Sequence, residues 1–401
     1  MIVSSNPKVI SIFSDMQKII ISEGGIMNPD ICIIEENGNL IVESPLGQNN
    51  NDIIFSVPAS CLPSTNDFTI SLDKDNLVIT ACKEYVTPLH EKMYGLMIDL
   101  FNQTQKISYH KKTFPLALLN NSLVFDFVAK KCPGICAKHK KLSNELSHDQ
   151  LLIKTFLGCR HLNINLTNKN NTQVLMPFID SLNHHVNSSG IDIINNSADS
   201  LGYLQIRHSK PLLHSNECFI NYGPTDPMPR YFHFGYIDTT PHHLHSTPVI
   251  LDLPKLGKII INPFNTNANE SLINFPDKLK DIEYFLPKAT KRNENILAWR
   301  LLIPSASNPS ALRRILEVLI INLAGKKLKR KRLEKYIKNT EIEIINKNKA
   351  YFKEMLALAN SNKLEDIPEA MIKDFSTLAN LQLDLLKKYQ QKANKLAFCF
   401  L

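Results

Sequence analysis

The chain has 401 residues, more than one ordinary hydrophobic core accommodates and about the length of two or three domains. Hydrophobic residues make up 43% and charged residues 21%, which excludes a disordered or collagen-like chain and predicts a globular one. The net charge is a modest +8, and no run of about 18 apolar residues predicts a membrane span.

Residues 1–85 read as short strands joined by turns. Ile31 to Ile34, Asn39 to Val42, Asp52 to Val57 and Leu77 to Thr80 are β-prone, and Asn37-Gly38, Gln48 to Asp52 and Pro63 to Asn66 supply turn chemistry. Residues 86–165 change period. Met93, Leu96, Met97 and Leu100 fall on one face of a helix, and Leu123 to Val128 and Gln150 to Arg160 read as two further buried segments. Residues 166–255 return to β-prone runs. The stretch 256–401 reads as a helical domain, carried by Ala311 to Leu323, Leu333 to Ala359 and Ala370 to Leu396, with connections at Ser305 to Pro309 and Asn360 to Pro368. The predicted class is therefore α+β: a β-rich domain interrupted by a helical insert, followed by an all-helical C-terminal domain.

Other features narrow the setting. Met1 to Asp15 lacks the basic-then-apolar pattern of a secretory signal peptide. The eight cysteines are scattered and form no disulfide framework, so a reducing, cytoplasmic compartment is expected. Cys399 stands one place off for a prenylation box. Glycine is scarce, 13 residues, about half of the usual ~7%, while asparagine, isoleucine and lysine are abundant, as in an A+T-rich genome. Asparagine tolerates left-handed backbone angles and can stand where glycine otherwise would. The basic run Lys326 to Arg332 reads as a solvated helix face. Without interleaved aromatic residues it gives no ground for nucleic-acid binding.

Two segments carry the chemistry. The first is Phe178-Ile179-Asp180-Ser181-Leu182-Asn183-His184. The second is Glu217 to Gly223, closed by His233-Phe234-Gly235-Tyr236. Each begins as an apolar β-prone run and ends in polar groups with little reason to sit in a core. In this order they resemble the C-terminal half of a SET domain, in the subfamily of the Rubisco large-subunit and actin-histidine methyltransferases. That subfamily splits its SET domain with a helical insert and adds a helical substrate-binding domain, as the element order here does.

The resemblance implies S-adenosyl-L-methionine as cofactor and a protein as substrate. Asp180-Ser181-Leu182-Asn183-His184 is similar to the family's D-x-x-N-H, so Asp180, Asn183 and His184 would lie against the cofactor; an amide both donates and accepts, which suits an amino-acid zwitterion. Tyr222-Gly223 matches the family's Y-G, making Tyr222 the catalytic-site tyrosine, also against the cofactor. Phe234 and Tyr236 would line the acceptor side. Arg160 resembles the family's arginine at the end of the insert, with Cys159 in place of serine or threonine, and would pair with the cofactor carboxylate. The family's G-x-G-L loop becomes Asn37-Gly38-Asn39-Leu40, with asparagine in both glycine places, ahead of a strand that ends in Val57-Pro58. Pro227 stands where the family usually has asparagine, and the acidic residue that follows the Val-Pro strand falls near Asn66.

Two readings stay open: an active N-methyltransferase, on lysine or on histidine, and an inactive SET scaffold that binds a partner through its helical tail. The expected protein is a monomer acting on another protein, delivered to a host cell if the source is an intracellular bacterium. Cys132, Cys136 and His139 have a loose metal-like spacing but no second pair to complete a tetrahedral set. His242 to His245 reads as a polar loop. No metal is expected.

Overall fold

The computed structural model describes residues 1–44, 52–165, 171–197, 200–209, 215–223, 226–262, 272–305, 308–325 and 328–396. The Gln48–Asn51 part of one expected turn, Lys326, Lys327 and Cys399 lie outside the described residues. The fold is α+β, and the chain divides into two units, Met1–Lys112 with Leu142–Pro224 and Thr113–Lys141 with Thr225–Leu401. The helical stretch between the two β-rich regions is thus shared between the units.

After a short strand, Ile2–Ser4, the first unit forms a helix, Pro7–Ser22, in a region whose sequence reads as strands. Its rich content of β-branched isoleucine favours strand, but Val9, Ile12, Phe13, Met16 and Ile20 recur at helical spacing and are all buried. Asn6 accepts from the Lys8 amide as N-cap, and Pro7 fills the first turn, where no amide hydrogen is needed. The strands at Cys32–Glu36, Asn39–Glu43, Ile53–Pro58 and Asn76–Cys82 stand where the β-prone runs predict them. Ile53–Pro58 is an inner strand of a four-stranded sheet, between Ser200–Arg207 and Ile26–Met27, with Asp192–Ser197 on the outer side. Three phenylalanines anchor the core below it: Phe178 lies 5.3 Å from Phe13 and 5.6 Å from Phe55, ring centre to ring centre.

The second unit contains strand as well as helix. Val249–Leu253, Gly257–Asn262, Asn295–Trp299 and Lys288–Arg292 form a four-stranded mixed sheet in that order, and the long helices begin only at Ala311. Part of the region read as helical is therefore sheet. The alternation of buried Ile259 and Ile261 with less buried neighbours is the period-two pattern of a strand with one face covered. Ala311–Ala324, Arg330–Ala359 and Glu369–Ala393 follow the predicted helices closely. The last region read as β-prone also contains a helix, Pro227–Phe234, capped by Asp226 and opened by its own Pro227.

His243–His245 is a paired strand against Leu302–Pro304, not a polar loop. Burial pushes both His243 and His245 down to about 4. Cys132 and Cys136 are buried, and burial raises both thiols, with Cys136 at about 11. His139 is hydrogen-bonded to Asn120 at 3.0 Å. No group of three or more metal-ligating side chains occurs among the described residues, and no described helix is long and apolar enough to cross a membrane.

Candidate active site

Backbone hydrogen bonds draw three distant segments of the first unit together. Asn183–His184 runs parallel to Phe219–Ile220. On the other side of that strand, the Cys218 amide donates to Val42 O at 2.7 Å and the Ser44 amide to Asn216 O at 2.8 Å. The segment 216–220 is thereby held between the end of the Asn39–Glu43 strand and Asn183–His184.

The Asp180–His184 stretch is entered through an unusual turn. Phe178 has φ 61° and ψ −42°, and the Ile179 amide donates to Pro177 O at 2.7 Å. This is close to a γ-turn of the rare, strained kind, held at a bulky residue. Such backbone strain costs about 1–3 kcal/mol and persists where packing over-determines it. Here the rings of Phe13 and Phe55 do so.

Beyond the turn, Asp180 accepts from Arg160 Nη1 at 2.8 Å. Arg160 follows the helix His148–Gly158, and its guanidinium stacks over Phe156 at 4.8 Å and Phe101 at 5.3 Å. Its Nε is buried and has no hydrogen-bond partner among the described residues. Burial holds the Asp180 carboxyl above the usual carboxylate range, only partly opposed by the Arg160 and Lys106 charges. Lys106 belongs to this cluster although nothing in its sequence surroundings marks it.

Asn183 is exposed, and its amide nitrogen donates to Glu217 Oε1 at 2.7 Å and to Leu40 O at 3.4 Å. With both hydrogens committed, the side chain presents its oxygen as an acceptor. Glu217, pushed up by burial, stands beside it as a second acceptor that the sequence pattern does not single out. Tyr222 is 36% exposed. Its hydroxyl donates to Leu182 O at 2.7 Å, and its amide donates to His184 Nδ1 at 3.0 Å, which places the imidazole proton on Nε2. Gly223 follows with φ 102°, a left-handed conformation that glycine adopts without strain, and its amide is held by Asn221 Oδ1 at 2.9 Å.

The asparagine loop is closed on itself. Asn37 (φ 51°) and Gly38 (φ 84°) form the two-residue turn between paired Glu36 and Asn39, the type that demands left-handed angles and favours Asn-Gly. A Cβ at Gly38 would collide with the carbonyl oxygen of Thr104. Of the four loop residues, only Leu40, through its carbonyl, reaches another residue that the motifs single out. The exposed Asn37 and Asn39 serve the turn.

Phe234 and Tyr236 belong to the second unit. Gly235 ends the helix Pro227–Phe234 with φ 78°, and the Tyr236 hydroxyl accepts from Arg230 Nη1 at 2.8 Å. Burial pushes Tyr236 up to about 12 against the opposing charge of Arg230.

No family model matches the chain. No curated protein matches it either. Among solved structures, the SET domain of LSMT bound to lysine and AdoHcy is 11% identical, with a TM-score of 0.40 over 98% of this chain and 93% of that one. The same domain bound to methyllysine and AdoHcy is 12% identical with a TM-score of 0.43 over the same shares. Rubisco LSMT bound to AdoMet is 11% identical with a TM-score of 0.39, over 96% of this chain and 92% of that one. At such identity and score, a likeness decides nothing about activity; that rests on the side chains of the site.

Proposed function

We propose that the chain is a SET-type protein methyltransferase that uses S-adenosylmethionine and acts on a side-chain nitrogen of a folded protein, lysine first and histidine second. The observation that carries the reading is the convergence, within one unit, of Asn183, His184, Tyr222, the Leu40 carbonyl and the Arg160–Asp180 pair. These come from four distant stretches of sequence, brought together by hydrogen bonds and one strand pairing.

The donors and acceptors present fit an amino-acid zwitterion. Asn183 Oδ1 and the Glu217 carboxylate would receive an ammonium group. Arg160, with its buried and unpartnered Nε, would face a carboxylate. When bound, the cofactor supplies an electrophilic methyl group on a sulfonium. The residues of the chain do the rest. Tyr222, its proton committed to Leu182 O, turns an oxygen acceptor toward the approaching groups, where weak C–H···O contacts of about 0.5–1 kcal/mol each can align a methyl carbon. His184 fixes the Tyr222 backbone, so that the phenol keeps one orientation. A lysine acceptor enters charged, and desolvation beside the phenol favours the neutral amine that an in-line displacement requires. The helices from Ala311 onward would dock the protein substrate.

Calorimetric titration with S-adenosylhomocysteine tests the reading. Wild type should bind, and Asn183→Ala and Arg160→Met should each weaken binding on the order of tenfold or more. A folded wild type that binds neither this ligand nor S-adenosylmethionine would leave an inactive scaffold as the better description.

A further inference from the structure

We infer that Lys106 is a second cation for the carboxylate end of the cofactor, set beside Arg160 and left without a hydrogen-bonded or ion-paired partner among the described residues, so that the ligand supplies one. The inference rests on the reading of the site given above.

Two chain reversals meet at this point, beside the ring that carries Arg160. Gln105, with φ 50°, turns the end of the helix Pro88–Gln103 into the helix Lys106–Thr113. Gly38, at the hairpin turn, abuts the carbonyl of the neighbouring Thr104. Phe101, one turn before that corner, carries the Arg160 guanidinium on its face. Lys106 is thereby brought into electrostatic reach of Arg160, Asp180 and Glu35, yet it forms no hydrogen bond or ion pair among the described residues.

The acidic groups nearby are engaged elsewhere. Asp180 holds Arg160 Nη1, and Glu35 accepts from Ser4 Oγ at 2.5 Å and from the Gly38 amide at 2.7 Å. Lys106 also stands in the first turn of its helix, the end at which the helix dipole opposes a cation, and no acidic residue shares that turn. Burial, and after it the Arg160 charge, brings the half-buried ammonium down to about 8, only partly opposed by Asp180 and Glu35. Both carboxylates in reach, Asp180 and Glu35, are committed to other donors, so neither closes on the ammonium. A carboxylate at this position would join the Arg160 Nε and the Lys106 ammonium at once.

The groups that face Lys106 are Arg160 at the end of the helix His148–Gly158, Asp180 in the turn after Phe178, Glu35 on its strand, and His110 on its own helix. His110 is pushed down to about 3 by burial and by Arg160, so it is neutral throughout the working range. Lys106 is therefore the group here whose charge changes between pH 7 and 10, and ligand binding should weaken as it loses its proton.

The test is titration of purified wild type, Lys106→Met and Lys106→Arg with S-adenosylhomocysteine at pH 7 and pH 9.5, with a thermal melt of each without ligand. Wild type should bind about tenfold more tightly at pH 7 than at pH 9.5. Lys106→Met should bind on the order of tenfold more weakly at pH 7 and show a much smaller pH dependence, the ligand's own amine accounting for what remains. It should melt at or above the wild-type temperature without ligand, because a buried, unpaired charge has gone. Lys106→Arg should restore tight binding at pH 7 and keep only the small residual pH dependence of Lys106→Met, since arginine stays charged. Unchanged affinity in a folded Lys106→Met, with Arg160→Met impaired, overturns the role of Lys106 and leaves the cofactor reading standing. No binding by any of the proteins overturns both.

Discussion

Each unit of the molecule sets a cation against an aspartate, and the two pairs are built to different degrees of completion. Lys131 and Asp226, in the second unit, have no side-chain exposure at all. The Lys131 ammonium donates to Asp226 at 2.9 Å, to His245 O at 2.6 Å and to Gln382 at 3.3 Å, and lies over the ring of Phe352. Asp226 also accepts from the amides of Met228 and His245. Arg160 and Asp180, in the first unit, keep 19% and 13% of their side-chain surface, share one hydrogen bond at 2.8 Å, and leave a guanidinium nitrogen unmet. A buried ion pair is tolerable only when its remaining donors and acceptors are satisfied. The first pair meets that condition from within the protein; the second meets it only if something else arrives.

The two aspartates respond to pH in opposite ways. Burial would raise Asp226, but Lys131, His245 and their hydrogen bonds outweigh it and hold the carboxyl below the usual range. Such a group contributes stability at neutral pH that is lost as pH falls through its folded pKa. Asp180 is held above the usual range, so its charge costs stability at neutral pH, and the cost is relieved as pH falls toward its folded pKa.

The comparison is most easily broken in the second unit. Lys131→Met strands a buried carboxylate and should cost about 3–5 kcal/mol in urea denaturation at pH 7. A loss below about 1 kcal/mol would show that the pair is not the closed structural element described here. Next comes the corner against which the Arg160 site is built. Gly38→Ala meets both a left-handed backbone and the Thr104 carbonyl, and should lower stability by about 1–3 kcal/mol. A neutral result would mean that the hairpin and the Thr104 corner do not touch. Asp180→Asn should lie within about 1 kcal/mol of wild type at pH 7, with the difference closing toward pH 4, because the fold already disfavours the charge. A loss as large as that of Lys131→Met would make the two pairs equivalent and erase the contrast. Smallest of all, Asn37→Gly should change stability by less than about 0.5 kcal/mol, since both residues accept the turn. If it alters ligand affinity instead, the asparagine touches the cofactor after all.

What could be read from the sequence follows from range. The helix Ala311–Ala324 is legible because Leu312, Ile315, Leu316, Leu319, Ile320 and Leu323 repeat locally on one face. Pro7–Ser22 carries the same signal, with Asn6 and Pro7 at its start, but isoleucine-rich stretches also read as strand, and tertiary burial decides. Asn183 and Tyr222 can be singled out as candidates because their neighbours form a pattern. Glu217 and Lys106 cannot, because the first matters only through the Asn183 amide and the second only through charges on residues far along the chain. In the asparagine loop, two residues that fit a ligand-binding pattern by position also form a hairpin turn.

The central claim is that the Asn183–Tyr222 constellation transfers a methyl group. The most direct measurement is incorporation of labelled methyl from S-adenosylmethionine into the proteins of a eukaryotic cell lysate, with wild type beside Tyr222→Phe. The account predicts at least one labelled protein whose signal falls on the order of 10²-fold in the variant, because the hydroxyl that aligns the reacting groups is gone. Labelling that is equal in wild type and variant, with both proteins folded, would contradict it.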